Sequence, residues 1–392
     1  MYHELQAAGL GVELVAAVEP DPARAAETAT KYEIPVFSSV DQLLAANLRV
    51  DAATVAVPTV YHHEVAGHLL DAGLDLLVEK PLAATLAEAD DLVARAEKGQ
   101  RILQPGHLER FNPAVMAVEP ALKRPMFFES HRLSVYTPRA LDVDVVLDLM
   151  IHDLDVVLTF ANSEVREVRA VGLPILSPKV DIANVRVEFE SGCVANFTAS
   201  RVSTERVRKL RFFEPRQYVS IDYARQDLLT IRMDEAQTGA EAAKPGINML
   251  GLMALAGSLS PDLLTSLPPE LITGFKAGLK TGKIDPALLA QLAATGKVDP
   301  AVMAKATALL GGAASASNGP APGLSFVKPV VTPGEPLKLE ISSFLDSVRT
   351  RRAPRVTARQ GRNALALALE IQATMAAHAE RAGLGDFFLT GA

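Results

Sequence analysis

The 392-residue sequence is poor in several residue types, and each scarcity excludes a class of protein. Cys193 is the single cysteine, which excludes an intramolecular disulfide and a multi-cysteine metal site. A chain with so little cysteine fits a reducing compartment. Tryptophan is absent and aromatic residues make up only 5% of the chain. Aromatic cages and base-stacking surfaces are therefore not expected.

Positive charge and long apolar runs are also scarce. The chain carries 39 Lys and Arg against 46 Asp and Glu, which gives a net charge of −7. This balance disfavours a nucleic-acid groove or an anionic membrane surface as the main partner. No apolar run approaches the roughly 18–20 residues of a membrane span, and no basic-then-apolar signal pattern opens the sequence. We therefore predict a cytoplasmic protein with no nucleic-acid or membrane partner.

Residues 1–107 alternate between strand and helix patterns. Buried-strand patterns at 12–18, 50–57 and 74–78 are each followed by a helical pattern, and a shorter strand pattern covers 34–37. Alternation at this spacing predicts a parallel sheet with crossover helices. In such sheets ligands bind beyond the carboxyl ends of the strands, so residues at those positions are the first candidates for a site.

Polar side chains follow three of these strands. Glu19 ends the first, where an acid can accept hydrogen bonds from a ribose diol and so favour NAD over NADP; a solvated acid near a turn is the alternative. Pro58 and Thr59, together with His62, end the second. Glu79-Lys80-Pro81 ends the third. A lysine held between an acid and a proline can donate to a substrate hydroxyl or share its proton, whereas a plain surface lysine is the alternative.

The segment Asp148-Leu149-Met150-Ile151-His152 places a carboxylate and an imidazole four positions apart. On a helix these side chains share one face, one turn apart. A neighbouring carboxylate holds the tautomer of an imidazole and stabilises its charged form, as a general base requires. The alternative is a helix N-terminal region whose acids favour the helix dipole, with His152 buried. The lysine at position 80 favours the catalytic interpretation.

Beyond Gly106 the pattern changes to strands in succession, at 166–171, 183–189, 193–200, 208–213 and 218–223. This succession predicts an α+β domain with a largely antiparallel open sheet, built from 108–235 and 324–392. Residues 236–323 are rich in Ala, Leu, Gly and Pro, and a Thr-Gly-Lys-x-Asp-Pro motif recurs at 281 and 295. We predict a mainly helical insertion there, either a surface elaboration or a contact with a partner.

The strand ends and the Asp148/His152 segment, in this order along the chain, resemble the Gfo/Idh/MocA oxidoreductases. The resemblance covers nearly all of the chain except 236–323. It implies a Rossmann-type dinucleotide-binding domain in 1–107, followed by the α+β domain. It also implies NAD as the cofactor, with NADP less expected, and a homodimer or homotetramer. No metal is needed, because the cofactor is the acceptor and side chains supply the acid and base.

The resemblance also implies a role for each site residue. Lys80 contacts the reacting hydroxyl and holds or relays its proton, while His152 takes that proton as hydride leaves the same carbon. Asp148 orients His152 or Lys80. Glu19 holds the adenosine ribose. The remaining cofactor-binding residues line the cleft: Pro58, Thr59, His62, Glu79, Lys80 and His107.

A narrower resemblance concerns 106–113, 142–153 and 199–203, which look like the UDP-N-acetylglucosamine 3-dehydrogenase group of the lipid A pathway. That group oxidises the sugar's 3-hydroxyl to a ketone. A nucleotide-sugar substrate is therefore expected, and arginine suits its diphosphate. The candidate substrate-binding residues are Arg110, Asn112, Arg139 and Arg201. A dehydrogenase of a free sugar or cyclitol, and a catalytically inactive member of the family, remain the alternatives.

The sequence departs from the family pattern at its start. The family opens with a strand and a Gly-x-Gly-x-x-Gly turn that brings the pyrophosphate to a helix N-terminus. This chain begins inside the expected first helix, about 20 residues later by the size of a ~30-residue βαβ module. Without the central strand, its two neighbours face a gap with unpaired backbone groups. We expect an upstream start codon to restore the motif; a true truncation would bind NAD weakly and have low stability.

Overall fold

The computed structural model describes residues 2–7, 9, 11–137, 143–233 and 324–384. The chain divides into two compact units, Met1–Thr230 with Lys328–Ala392, and Ile231–Val327. The predicted insertion at 236–323 lies wholly outside the described residues. A short strand, Leu324–Val327, follows it. Arg139 also lies outside the described residues.

The first part of the chain alternates strands and helices, as predicted. Its elements are α1 (Tyr2–Ala7), β1 (Ala17–Val18), α2 (Pro22–Tyr32), β2 (Val36–Phe37), α3 (Val40–Ala45), β3 (Ala52–Val55), α4 (His62–Asp71), β4 (Asp75–Glu79), α5 (Leu86–Gly99) and β5 (Leu103–Gly106). Local chemistry sets the helix starts. Asp21 caps α2 and Pro22 takes its first position, while Thr85 and Glu88 form a capping box at α5.

The parallel strands fall into two separate sheets. β1 pairs with β2, and β3–β4–β5 form the other sheet, with Val55 opposite Val78 and Glu79 opposite Gly106. The expected break between β1 and β3 is therefore present. The strand predicted at 12–18 was too long, since only Ala17–Val18 is paired. A strand with a partner on one side only makes a single hydrogen-bond ladder, which explains the shortening.

The rest of the described chain forms an α+β arrangement. Its helices are α6 (Pro113–Val118), α7 (Ile151–Ala161), α8 (Pro336–Thr350) and α9 (Ala358–Arg381). Its strands are β6 (Phe127–Val135), β7 (Val165–Leu173), β8 (Ile182–Phe189), β9 (Val194–Ser203), β10 (Val207–Glu214), β11 (Gln217–Asp222) and β12 (Asp227–Met233). One 3-10 turn covers Leu108–Phe111, and a π turn, Val146–Met150, runs directly into α7.

The larger sheet has the order β12-β11-β10-β6-β9-β8-β7. The pairs β10–β11, β10–β6, β8–β9 and β7–β8 are antiparallel, whereas β6 and β9 are parallel, so the predicted, largely antiparallel sheet is confirmed. Burial alternates along β6 and β8, which shows that one face of the sheet is covered. Helices α7 and α9 pack against each other, and α9 also packs against β7. Their apolar residues share one buried core with Phe128 and Phe212 of the sheet. None of the described helices has the length and apolar character needed to cross a membrane.

Phe212 lies at the centre of this core. Its side chain is fully buried, and its ring centroid is 5.7 Å from that of Phe128 and 6.2 Å from that of Phe160. We expect Phe212→Ala to lower the free energy of unfolding by about 3–5 kcal/mol, because it removes apolar contacts and leaves a cavity. Phe213→Ala is the control, since the half-buried Phe213 faces the other side of the sheet. Urea unfolding of both variants measures the difference, and equal losses would contradict the assignment of the core.

Candidate active site

Lys80 follows the buried strand β4 and lies beside the start of α7. The Lys80–Pro81 peptide bond is cis. Lys80 Nζ donates to the backbone oxygen of Asp148 at 2.7 Å and to that of Leu147 at 3.3 Å. It lies 3.7 Å from Asp148 Oδ1. The structure therefore brings together the lysine and the acid that the sequence analysis singled out, although 67 positions separate Lys80 from Leu147.

Opposing influences act on the pKa of Lys80. Burial lowers it below its ordinary value, and the carboxylates of Asp148 and Glu79 oppose that shift. The amine reaches two backbone carbonyl oxygens and lies near the Asp148 carboxylate. Because burial makes the loss of a proton easier, Lys80 is a candidate for exchanging a proton with a ligand hydroxyl.

Asp148 and His152 lie in one continuous helical segment, Asp148 in the π turn and His152 in the first turn of α7. The Asp148 carboxylate lies near Lys80, and no hydrogen bond joins it to His152 within the described chain. The structure thus supports an orienting contact from Asp148 to Lys80.

His152 is partly buried, and its Nδ1 atom is enclosed with no hydrogen-bond partner among the described residues. Burial holds the pKa of His152 well below its ordinary value, and the positive charges of Lys80 and Arg132 lower it further. The imidazole is therefore neutral near pH 7 and can accept or donate a single hydrogen bond on each ring nitrogen.

A second group of buried polar side chains lies behind Lys80. His107 follows β5, and its Nδ1 atom is 4.0 Å from Asp155 Oδ2 of α7. Burial lowers the pKa of His107, an effect that the Asp155 carboxylate opposes. Glu340 of α8 is 1% exposed, and burial, together with the carboxylates of Glu79 and Asp155, raises its pKa to about 8. Glu340 is therefore protonated at neutral pH. His107 is thus enclosed in the protein and does not line an open cleft.

The other predicted cofactor residues lie at strand ends. Glu19 follows β1, where its Oε1 atom accepts from the backbone N–H of Asp21 at 2.9 Å. Pro58 and Thr59 begin a 3-10 turn after β3. His62 is 1% exposed, and its ring lies between the backbone oxygens of Pro81, at 2.8 Å, and Val57, at 2.9 Å. His62 therefore ties the ends of β3 and β4 together.

Three predicted substrate residues are enclosed by the protein. Arg110 is 2% exposed, contacts Thr159 and Asp155, and donates to the Arg355 backbone oxygen. Asn112 caps α6 and donates to the Tyr223 backbone oxygen at 3.0 Å.

Arg201 is also buried, and it interacts with Asp181 and the Val143 backbone oxygen. In the described conformation these contacts favour structural roles for Arg110, Asn112 and Arg201. With Arg110 2% and Arg201 5% exposed, neither guanidinium is presented to a ligand at the surface.

Arg208 is a cation near the site that sequence reasoning missed. It lies on β10 opposite Arg132 of β6, on the face of the sheet that is covered by α7. Its side chain is exposed, and its positive charge is among those that lower the pKa of His152. No ion pair of Arg208 occurs within the part of the chain that the structure describes. An arginine at the inward-facing position of an alternating strand was the signal that could have identified it.

The described residues contain no group of three or more His, Cys, Asp or Glu side chains placed to hold a metal ion. They fit a dinucleotide instead: Glu19, Thr59 and Lys80 follow β1, β3 and β4, at the carboxyl ends of parallel strands. The sequence offers no Gly-x-Gly-x-x-Gly turn for the pyrophosphate.

Comparison with known proteins agrees with this geometry. Residues 1–107 match the oxidoreductase family model with an NAD-binding Rossmann fold, and residues 118–216 match the Gfo/Idh/MocA C-terminal domain. The UDP-N-acetylglucosamine 3-dehydrogenase of Acidithiobacillus ferrooxidans is 36% identical over 236 residues, which cover 60% of this chain and 74% of that protein. The chain belongs to the Gfo/Idh/MocA family. It is an oxidoreductase with NAD as its cofactor.

A solved structure and one further relative show how far the resemblance extends. The solved structure of the same A. ferrooxidans enzyme superposes with a TM-score of 0.69 at 28% identity, covering 96% of this chain and 94% of that one. The inositol 2-dehydrogenase of Acidothermus cellulolyticus is 30% identical over 169 residues, which cover 41% of this chain and 49% of that protein. The family is therefore shared with enzymes named for nucleotide sugars and for cyclitols.

The raised pKa of the buried Glu340 carboxyl group can be tested through the pH dependence of stability. Its pKa of about 8 in the folded protein exceeds the ordinary value of 4.5, so the native state keeps a proton that the unfolded state loses above pH 4.5. This contribution lowers the free energy of unfolding as pH rises from 4.5 to 8. Glu340→Gln removes it, so we expect the variant to gain stability relative to the wild type across that window, by at most about 1.4 kcal/mol per pH unit.

Urea unfolding at several pH values measures this difference. The control is Glu370→Gln, since Glu370 is exposed on α9. We expect that control to change stability by less than about 0.5 kcal/mol at every pH. A difference between Glu340→Gln and the wild type that stays constant with pH would contradict the buried, protonated acid.

Proposed function

We propose that the protein is an NAD-dependent dehydrogenase of a nucleotide sugar that oxidises the 3-hydroxyl of UDP-N-acetylglucosamine to a ketone. The observation that carries the chemistry is the placement of Lys80 beneath Asp148, with its pKa lowered by burial. The choice of substrate is supported by the A. ferrooxidans relative, which is 36% identical. A homodimer or homotetramer remains a prediction.

In this proposal Lys80 is the proton acceptor. Bound NAD supplies the acceptor for the hydride that leaves the sugar carbon. The hydroxyl proton passes to the lone pair of Lys80 Nζ, and the nearby Asp148 carboxylate stabilises the resulting ammonium. We assign this role to Lys80 instead of His152 because the Asp148 carboxylate lies next to Lys80 and stabilises its charged form, whereas burial disfavours the charged form of the His152 imidazole. The pKa of His152 lies well below its ordinary value.

His152 serves in this scheme as a neutral hydrogen-bond partner of the sugar. Its ring is neutral at pH 7, so it orients the hydroxyl or the developing ketone without adding charge. Asp148 fixes Lys80, and His62 holds the Pro81 carbonyl next to it. Glu19 and Thr59 are proposed to contact the cofactor at the ends of β1 and β3.

Arg208 takes the diphosphate role that the sequence analysis gave to other arginines. It is exposed and lies on the sheet face that α7 covers, whereas Arg110 and Arg201 are buried and paired. Guanidinium groups bind phosphate oxygens with charge-assisted hydrogen bonds. This assignment supports a nucleotide sugar over an uncharged sugar.

A second candidate is a cyclitol dehydrogenase. The similarity to inositol 2-dehydrogenase over 41% of the chain favours it, and the proton chemistry at Lys80 suits any secondary alcohol. The two candidates differ in whether substrate recognition requires an anion-binding residue. The rate of NADH formation, followed at 340 nm with UDP-N-acetylglucosamine, N-acetylglucosamine and myo-inositol in turn, distinguishes them, since only the nucleotide sugar carries a diphosphate.

The catalytic assignment is tested with Lys80→Met. We expect kcat for UDP-N-acetylglucosamine oxidation to fall by about 10²–10⁴-fold, because a positioned proton acceptor contributes that much. The measurement is NADH formation at 340 nm. Lys98→Met is the control, since Lys98 is exposed in the last turn of α5 and should leave kcat unchanged. Wild-type activity that persists in Lys80→Met would refute the role.

The diphosphate assignment is tested with Arg208→Gln. We expect KM for the UDP-sugar to rise by about 10-fold or more, because a hydrogen bond to a charged group contributes about 1.5–3 kcal/mol. Lys209→Gln removes the neighbouring charge, which lies on the opposite face of β10, and should leave KM unchanged. Equal effects of the two substitutions would show only a general loss of positive charge.

A further inference from the structure

Arg132 on β6 is the centre of a buried ionic network next to the site. Its Nε and Nη2 atoms donate to the two carboxylate oxygens of Asp153, at 2.6 and 3.0 Å. Its Nη1 atom donates to Glu109 Oε1 at 3.0 Å. The guanidinium carbon lies 5.2 Å from the ring centroid of Tyr223. All four side chains are buried, so these contacts are shielded from water.

The network joins separate elements around the start of α7. Arg132 belongs to the large sheet, Asp153 to the first turn of α7, and Glu109 to the 3-10 turn after β5. Glu109 also accepts from Asn112 Nδ2 at 3.3 Å, which continues the network to the cap of α6. A two-armed contact to one carboxylate fixes both its distance and its direction. Arg132 therefore holds α7 at Asp153 through a contact of defined direction.

Asp153 directly follows His152 in the sequence and in the helix. Successive side chains of an α-helix point in fixed directions about 100° apart, so anchoring one of them sets the direction of the next. The groups whose charges reach the His152 ring come from four other elements: Lys80 after β4, His107 after β5, Arg132 on β6 and Arg208 on β10. A small rotation of α7 would alter all these distances together.

We propose that Arg132 is a positioning residue: its grip on Asp153 fixes the rotation of α7 and so presents His152 and the adjoining Asp148 turn to Lys80. This inference rests on the proposed function, because it names what holds that site in place. The positive charge of Arg132 also lowers the pKa of Lys80 and of His152. Arg132 thus acts on the site both through geometry and through its charge.

The alternative is a purely structural ion pair. A buried charge left without its partner destabilises a protein, so a loss of stability alone would not distinguish the two roles. Arg132→Lys separates them, since lysine keeps the positive charge but cannot hold both oxygens of Asp153 and Glu109 at once. The matched control is Arg211→Lys on β10, where Arg211 donates to Glu129 at 2.9 Å on the other, half-exposed face of the sheet.

We expect Arg132→Lys to lower kcat by about 10²-fold, the loss that follows a misplacement of catalytic groups by about 1 Å. KM for NAD should change less than kcat, because Arg132, Asp153 and Glu109 do not belong to the ends of β1, β3 or β4, where the cofactor is proposed to bind. Arg211→Lys should leave both values unchanged. Unchanged kcat in the folded Arg132→Lys protein, with or without lower stability, overturns the proposal.

A second readout does not require turnover. Histidine labelled with ¹³C gives ring resonances for the eight histidines, and the one lost in His152→Ala identifies His152. We expect this resonance to move in Arg132→Lys and to stay in place in Arg211→Lys; a resonance that stays in both overturns the proposal. Should the wild type not oxidise UDP-N-acetylglucosamine, the proposed function fails while this readout still decides the role of Arg132.

Asp153→Asn is the companion variant should Arg132→Lys not fold, since it keeps the shape of the side chain. It is expected to lower kcat and to move the His152 resonance in the same sense. The double variant should lose little more than either single one, because both act through one contact. Additive losses would assign separate roles to the two residues and overturn the proposal.

Discussion

The hydrogen bonds from Lys80 Nζ to the backbone oxygens of Asp148 and Leu147 are the contact on which the site depends. They join the end of a buried parallel strand to the turn that starts α7. A lysine in this position would be costly to bury without partners, and the two carbonyls supply them. Because carbonyls are satisfied by a neutral amine as well as by an ammonium, the same contact that places Lys80 leaves its proton exchangeable.

The buried ionisable groups around the site are of two kinds. Arg132 contacts the buried carboxylates of Asp153 and Glu109, and Arg110 contacts that of Asp155. Burial moves the pKa of His107, His152 and Glu340 toward the neutral form of each group, and for His107 the Asp155 carboxylate opposes that shift. The site thus consists of neutral proton carriers next to fixed charges. Groups with displaced pKa values cluster where proton transfer is required, and this is the pattern here.

The short segment around His152 makes several contacts with other elements. Asp148, in the π turn at Val146–Met150, lies near Lys80, and Asp153, in the first α-helical turn, accepts hydrogen bonds from Arg132. Asp155, two positions further on, faces His107 and Arg110. The acidic run Asp153–Asp155, which in the sequence resembles a simple helix N-terminal charge cluster, is therefore divided among buried partners. Because these carboxylates are buried against other elements, they contribute to tertiary contacts more than to the helix dipole interaction.

The sequence alone was enough to predict two parts of the fold and to identify the strands that are followed by candidate site residues. It also indicated that Lys80 and the Asp148/His152 segment belong to one site. Periodicity and strand-end chemistry are local properties, so alternation in 1–107 and the strands at 183–189 and 208–213 could be predicted. Only the tertiary structure showed which arginines are exposed to a ligand, since Arg110 and Arg201 are buried. Arg132 and Arg208 lie near the site because β6 pairs with β10. Glu340 lies there because α8 packs nearby. Burial and partner choice depend on residues far apart in the chain, and no local pattern records them. The contact between Asp148 and Lys80 likewise depends on the tertiary structure. Asp148 lies in a π turn, and the packing around α7 determines that turn more than the spacing of two residues does.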